Sequence, residues 1–185
     1  MRLYIAYGSN LCKMSMRRRC PDAHPIGKFY LTDARLVFRG VADVEYSPGD
    51  RVPCGLWRIS GQDERELDRY EGVNSGYYYK EYGIQIEYRG EVRKPLIYLM
   101  TTRGVYPPSQ SYVDTLRRGY ADFNLDQSYL DAAIVDCFKR KKPDEQTRAR
   151  RERQRNNPRT RKLVPMPESV AVRRFQIEAD QEKAS

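Results

Sequence analysis

Tyr4-Ile5-Ala6-Tyr7-Gly8-Ser9-Asn10-Leu11 carries a short strand straight into a small polar loop, and Cys12, Met14 and Met16 then space a helix behind it. Glycine lets a backbone approach a ligand closely. The free N–H groups of a first helical turn point outward at the positive end of its dipole. A strand–loop–helix junction of this kind reads as an anion cradle of neutral donors, suited to a carboxylate or to an oxyanion developing on a carbonyl. Residues 3–7 are the strand, Ser9 is placed to cap the helix, and Arg17-Arg18-Arg19 with Pro21 end it.

Strand and helix signals continue to mix beyond this junction. Residues 29–38 and 54–59 read as strands, the second opened by the turn Ser47-Pro48-Gly49-Asp50. Ser60-Gly61-Gln62-Asp63 has the form of a capping box, Leu67 and Tyr70 give the next helix an apolar stripe, and Gly72 supplies the left-handed residue that stops it. Residues 82–88 alternate, Arg89-Gly90 turns, and the apolar run 95–101 follows, which predicts a hairpin. After the rigid Tyr106-Pro107-Pro108, residues 111–123 and 125–138 read as helices, the second with Leu130, Ala133, Ile134, Cys137 and Phe138 on its packing face.

The helix ending in Leu67-Asp68-Arg69-Tyr70-Glu71-Gly72-Val73 holds the second candidate group. A carboxylate at a helix C-terminus is disfavoured by the dipole by about 0.3–1 kcal/mol. Partial burial beneath Tyr77, Tyr78 and Tyr79 raises its pKa in the same direction, so Glu71 is placed to accept a proton and hand it on. Asp68 and Arg69 read as solvated charges.

Composition excludes several other chemistries. His24 is the only histidine, sits in a turn-forming Pro-Asp-Ala-His-Pro stretch, and leaves neither Cys12 nor Ser9 an imidazole partner. Cys12, Cys20, Cys54 and Cys137 form no C-x-x-C pair, so they read as buried thiols rather than a zinc site. The amino end lacks the apolar core of a signal peptide and no run approaches a membrane span, so the expected location is cytoplasmic. The net charge of +9 is local. Residues 139–162 hold twelve Lys/Arg against three acids, and the remainder holds twenty-two of each sign. The chain therefore divides into a neutral domain, 1–138, a basic linker, 139–162, that reads as disordered, and a segment, 163–185, where alternation at Val170 and Val172 suggests a strand docking back. A basic tail of this kind suits an anionic partner such as nucleic acid or an acidic surface.

Three ordered motifs resemble the γ-glutamylcyclotransferase family: Tyr7-Gly8-Ser9-Asn10-Leu11; Leu67 to Val73 followed by Ser75-Gly76-Tyr77-Tyr78; and Tyr98-Leu99-Met100-Thr101 with Pro107-Pro108-Ser109-Gln110-Ser111-Tyr112. The resemblance spans roughly residues 2–138. It implies an α+β fold built on a small closed or nearly closed mixed β-barrel flanked by helices. It implies conversion of a γ-glutamyl amide to 5-oxoproline and a free amine without a cofactor. It assigns substrate binding to Tyr7, Gly8, Ser9, Asn10, Leu11 and Tyr112, and general acid/base work to Glu71. Such a cyclisation carries its nucleophile in the substrate, so the protein's tasks are to hold a folded conformer and to move protons. Glutathione, γ-glutamyl amino acids and γ-glutamylamines all remain eligible substrates. The alternative is a non-catalytic carboxylate-binding module whose basic tail is the working part.

Overall fold

A continuous apolar run in the first strand, Leu3 to Ala6, sets the sheet. In a computed structural model that describes residues 1–140, β1 (Arg2–Ala6) pairs antiparallel with the end of β3 (Ala42–Ile59), and β3 pairs along most of its length with β2 (His24–Phe38). Tyr4 lies opposite Trp57, and Ile5, Leu56 and Ile59 are fully buried. The expectations for the basic linker beyond Arg140 and for a strand near Val170 lie outside the described residues.

The long β2–β3 ladder corrects two readings. His24 opens β2 as an exposed strand residue rather than sitting in a turn. Ser47-Pro48-Gly49-Asp50 does not separate strands but bulges out of β3. Thr32 pairs with Arg51 and Ala34 with Tyr46, so the whole excursion faces Asp33 alone. Asp33 and Gly49 both take positive φ, 52° and 82°, and the Asp33 carboxylate accepts the Gly49 N–H at 2.9 Å. The turn chemistry is present, but the ladder resumes beyond it and makes it a bulge.

The capping box opens α2 (Gly61–Tyr70) as expected: the Asp63 N–H donates to Ser60 Oγ at 3.1 Å and the Ser60 N–H to Asp63 Oδ2 at 2.9 Å. Gly72, at φ 64°, follows the C-cap Glu71 and ends the helix. Arg89-Gly90 is a two-residue turn with both φ positive, but it joins β5 (Ile86–Tyr88) to β6 (Glu91–Arg93) rather than to the apolar run after Pro95. That run becomes β7 (Ile97–Met100), paired antiparallel with β4 (Tyr78–Glu81). Leu96, just before it, is bridged in parallel to Tyr4, with Ile5 N–H donating to Leu96 O and Leu96 N–H to Leu3 O, both at 2.8 Å.

Two helices close the domain, α3 (Gln110–Asp122) and α4 (Gln127–Arg140). Leu130, Ala133 and Cys137 bury the inner face of α4, while Phe138 stays exposed. The fold is thus mixed α+β, as expected, but the described strands form three antiparallel sheets, with isolated bridges at Tyr4–Leu96 and Arg39–Tyr106, and not a closed barrel. None of the described helices is long and apolar enough to cross a membrane.

Candidate active site

At the end of β1 the chain makes a 3-10 turn, Ser9–Leu11, before α1 (Lys13–Arg19) begins. Ser9 therefore does not cap α1: Cys12 occupies that position, and neither residue's side chain caps a helix. Leu11 N–H closes on Gly8 O and Cys12 N–H on Ser9 O, so the amides not used by the turn are those at its leading edge. Gly8 has φ −109°, which any residue can adopt, so glycine is needed there for space. A Cβ at Gly8 would sit 3.2 Å from the Tyr112 hydroxyl and 3.7 Å from Ala42 Cβ.

The turn, the end of α2, the start of α3 and the β2–β3 connection surround a cavity of about 260 Å³. Six tyrosines line it, together with Gly8, Ser9, Asn10 and Glu71. Glu71 Oε1 accepts Asn10 Nδ2 at 2.9 Å, and the same nitrogen donates to the Tyr4 hydroxyl at 2.9 Å. Arg19 Nη1 donates to Asn10 Oδ1 at 2.6 Å, and the Arg19 guanidinium lies 3.6 Å from the centre of the Tyr70 ring. Ser9 Oγ and the Tyr70 hydroxyl are 3.2 Å apart.

Burial pushes the Glu71 carboxyl up to about 7, against the opposing pull of the Arg19 charge and the Asn10 hydrogen bond. A carboxyl at that value exchanges protons near neutrality. Tyr112 accepts the Ala42 N–H at 3.0 Å, and burial holds its hydroxyl well above the usual phenol range, so it remains a neutral donor. Tyr7 donates to the Tyr98 carbonyl at 2.6 Å, with Asp43 Oδ1 3.3 Å away. Behind it, buried Asp43 is ion-paired to Arg39 at 2.7 Å and accepts the Met100 N–H at 3.2 Å.

This geometry has relatives. An AIG2-like family model matches residues 51–132. Mouse γ-glutamylcyclotransferase is 33% identical over a match covering 77% of this chain and 84% of the mouse protein. The chain belongs to the γ-glutamylcyclotransferase family. Human γ-glutamylcyclotransferase is 31% identical, covering 70% of this chain and 75% of that protein. A solved γ-glutamyl cyclotransferase structure, 27% identical, superposes with a TM-score of 0.63 over 78% of this chain and 89% of its own.

Six of the residues expected at a cyclotransferase site, Tyr7, Gly8, Ser9, Asn10, Glu71 and Tyr112, line the one cavity. Leu11 does not. Its side chain is fully buried in the core, where Gly55 and Gly119 make room for it. Tyr7 contributes a wall, since its hydroxyl is engaged with Tyr98. The cover over Glu71 also differs from expectation: Tyr78 reaches the cavity, while Tyr77 is 63% exposed. Asp68 is no free surface charge, for it accepts the Tyr98 hydroxyl at 2.7 Å and pairs with Lys80 at 2.7 Å.

The sequence reading missed Tyr4, Tyr70 and Arg19. By sequence Tyr70 reads as part of an apolar stripe and Arg19 as one of three helix-ending cations. Tyr4 lies in β1 only a few residues before the loop, which could have flagged it, but nothing local pairs Arg19 with Tyr70. The four cysteines are buried and form no disulfide with one another, and burial raises the Cys20 and Cys54 thiols to about 12, far from nucleophilic use.

Proposed function

We propose that this protein is an active γ-glutamylcyclotransferase with Glu71 as its general acid/base. The observation that carries the reading is the Glu71 carboxyl, facing the cavity, hydrogen-bonded to the glycine-containing loop and raised to about 7. A pocket built only to bind a carboxylate ligand has no use for a buried carboxyl of its own.

In the proposed reaction the γ-glutamyl group folds in the cavity and its α-amine attacks the γ-carbonyl carbon. Glu71 takes the proton that the amine sheds, a tetrahedral oxyanion forms, and the bond to the leaving nitrogen breaks as Glu71 returns the proton to it. The products are 5-oxoproline and a free amine. Loop amides and the Tyr112 hydroxyl are neutral donors for the α-carboxylate or the oxyanion. Holding the amine over the carbonyl supplies much of the acceleration, because the attack is intramolecular.

The test incubates the protein with glutathione, γ-glutamyl amino acids and γ-glutamylamines and measures 5-oxoproline. Turnover of at least one class is expected. In Glu71→Gln, kcat on that substrate falls by about 10²–10⁴-fold, the usual worth of a positioned general base. Silence across the panel, or an undiminished Glu71→Gln, sinks the assignment.

A further inference from the structure

Three consecutive arginines end α1, and they do not share an environment. Arg17 and Arg18 are exposed, whereas Arg19 turns inward and is half-buried. It lies outside the cavity lining yet meets it twice. Its guanidinium rests on the Tyr70 ring at 3.6 Å, and Nη1 donates to Asn10 Oδ1 at 2.6 Å.

The Asn10 side chain is fully committed by this contact. Its carbonyl faces Arg19, so its amino group faces Glu71 and Tyr4, each at 2.9 Å. Reversing the amide would set its amino group against the guanidinium and its carbonyl against the carboxylate. Both contacts are repulsive, so the network has one favourable orientation.

Resting on the cyclotransferase reading above, we propose that Arg19 is a positioning residue for the cyclisation: through Asn10 it fixes the donor that holds Glu71, and its charge keeps Glu71 able to ionise. The groups facing Glu71 from the packed elements are Tyr4 and Tyr7 of the β1 end, Tyr78 of β4, Tyr112 of α3 and Arg19 of α1. Burial holds all four phenols neutral through the working range, so Arg19 is the one charged group among them. Lysine would retain charge there but neither the planar stack on Tyr70 nor the fork that meets an amide oxygen squarely.

The decisive measurement is the ¹³C titration of the Glu71 side-chain carboxyl in substrate-free protein, assigned by its loss in Glu71→Gln. Because no turnover is involved, it stands even if the panel of γ-glutamyl compounds is inert. Arg19→Gln moves the midpoint upward by about one pH unit, the scale of an opposite charge nearby, and shifts the acid limb of kcat/KM with it. Arg19→Lys restores the midpoint to within a few tenths of a unit, while kcat stays several-fold low because Asn10 is no longer held in one orientation. In a double-mutant cycle, Arg19→Gln costs clearly less when Asn10 is already alanine. A midpoint unmoved in Arg19→Gln, costs that simply add, or full turnover in Arg19→Lys overturns the proposal. Should Arg19→Gln not fold, the Arg19→Lys titration and turnover decide alone.

Discussion

Glu71 sits where a charged carboxylate is poorly solvated, and this has a consequence for stability as well as for chemistry. Its folded pKa of about 7 lies above the ordinary glutamate value of 4.5, so between those values the folded chain holds a proton that the unfolded chain has released. Stability therefore falls as pH rises through that window and levels off above 7, the full cost being on the order of 3 kcal/mol. Glu71→Gln removes the cost. Its melting temperature should exceed wild type at pH 8 and match it at pH 4.5, and equal melting temperatures at both pH values would show that the carboxyl is not buried as described. Gly8 makes a separate prediction, because a Cβ there would crowd the Tyr112 hydroxyl at 3.2 Å. Gly8→Ala should raise KM several-fold, and by less when Tyr112 is already phenylalanine, since the crowded oxygen is then gone. Tyr112→Phe alone should also lower stability by about 1–3 kcal/mol, because the Ala42 N–H loses its acceptor. Kinetics that simply add across this pair would place the ligand elsewhere. Gly8, Asn10 and Glu71 were legible because each belongs to a local pattern with a chemical meaning. Arg19 was not, since its role depends on Tyr70 and Asn10 being brought together from different elements.

At the scale of elements, most local signals survived, the Ser9 cap excepted, and the expected hairpin pairing did not. The Ser60–Asp63 box, the Gly72 stop and the two closing helices rest on contacts within a few residues, and the structure keeps them. The strand after Pro95 was assigned to the nearest alternating run, yet it pairs with β4, while three residues of β6 fill the hairpin. Register across the sheet is set by buried faces that no short window displays. The packing of α3 on the loop is likewise non-local, and it hinges on Gly119. A Cβ at that position would lie 2.5 Å from Leu11 Cβ and 2.8 Å from the Cys12 backbone nitrogen. Helix propensity alone favours alanine over glycine by roughly 1 kcal/mol. The clash is with backbone, which cannot rotate away, and overpacking of this kind costs about 1–3 kcal/mol. Gly119→Ala should therefore lower the melting temperature and, by displacing the Ser9–Leu11 turn, raise KM for a γ-glutamyl substrate. A more stable variant would mean that propensity wins and that α3 does not press on the loop.

Across the whole molecule, the cavity is assembled from residues between Tyr4 and Tyr112, and its supports run through the described domain. Asp43 shows how: one buried carboxylate joins Arg39 just after β2, the Met100 amide on β7 and the Tyr7 wall, while Arg39 also donates to the Gly104 carbonyl at 2.8 Å. The described strands form three sheets and no closed barrel, where the family resemblance implied a closed or nearly closed one, and this buried network ties strands together beside the cavity. In the sequence, the chain's excess positive charge falls within residues 139–162. Arg140 of α4 pairs with Glu45 and Asp136, and Arg148, Arg150, Arg151, Arg153 and Arg155 lie outside the described residues. If these arginines belong to a segment separate from the neutral domain, as the charge division in the sequence implies, any steering of substrate by them is screened beyond roughly 8 Å at physiological salt. Replacing the five with glutamine should accordingly leave kcat unchanged and kcat/KM within about twofold at that ionic strength. Any binding to nucleic acid or to an acidic surface should weaken, and its dependence on salt concentration should flatten, because fewer counterions are released. Parallel measurement of 5-oxoproline release and of salt-dependent binding separates turnover from any such binding. A loss of turnover in the five-arginine variant would make residues 148–155 part of the catalytic unit and would overturn the division between a neutral enzyme domain and a basic extension.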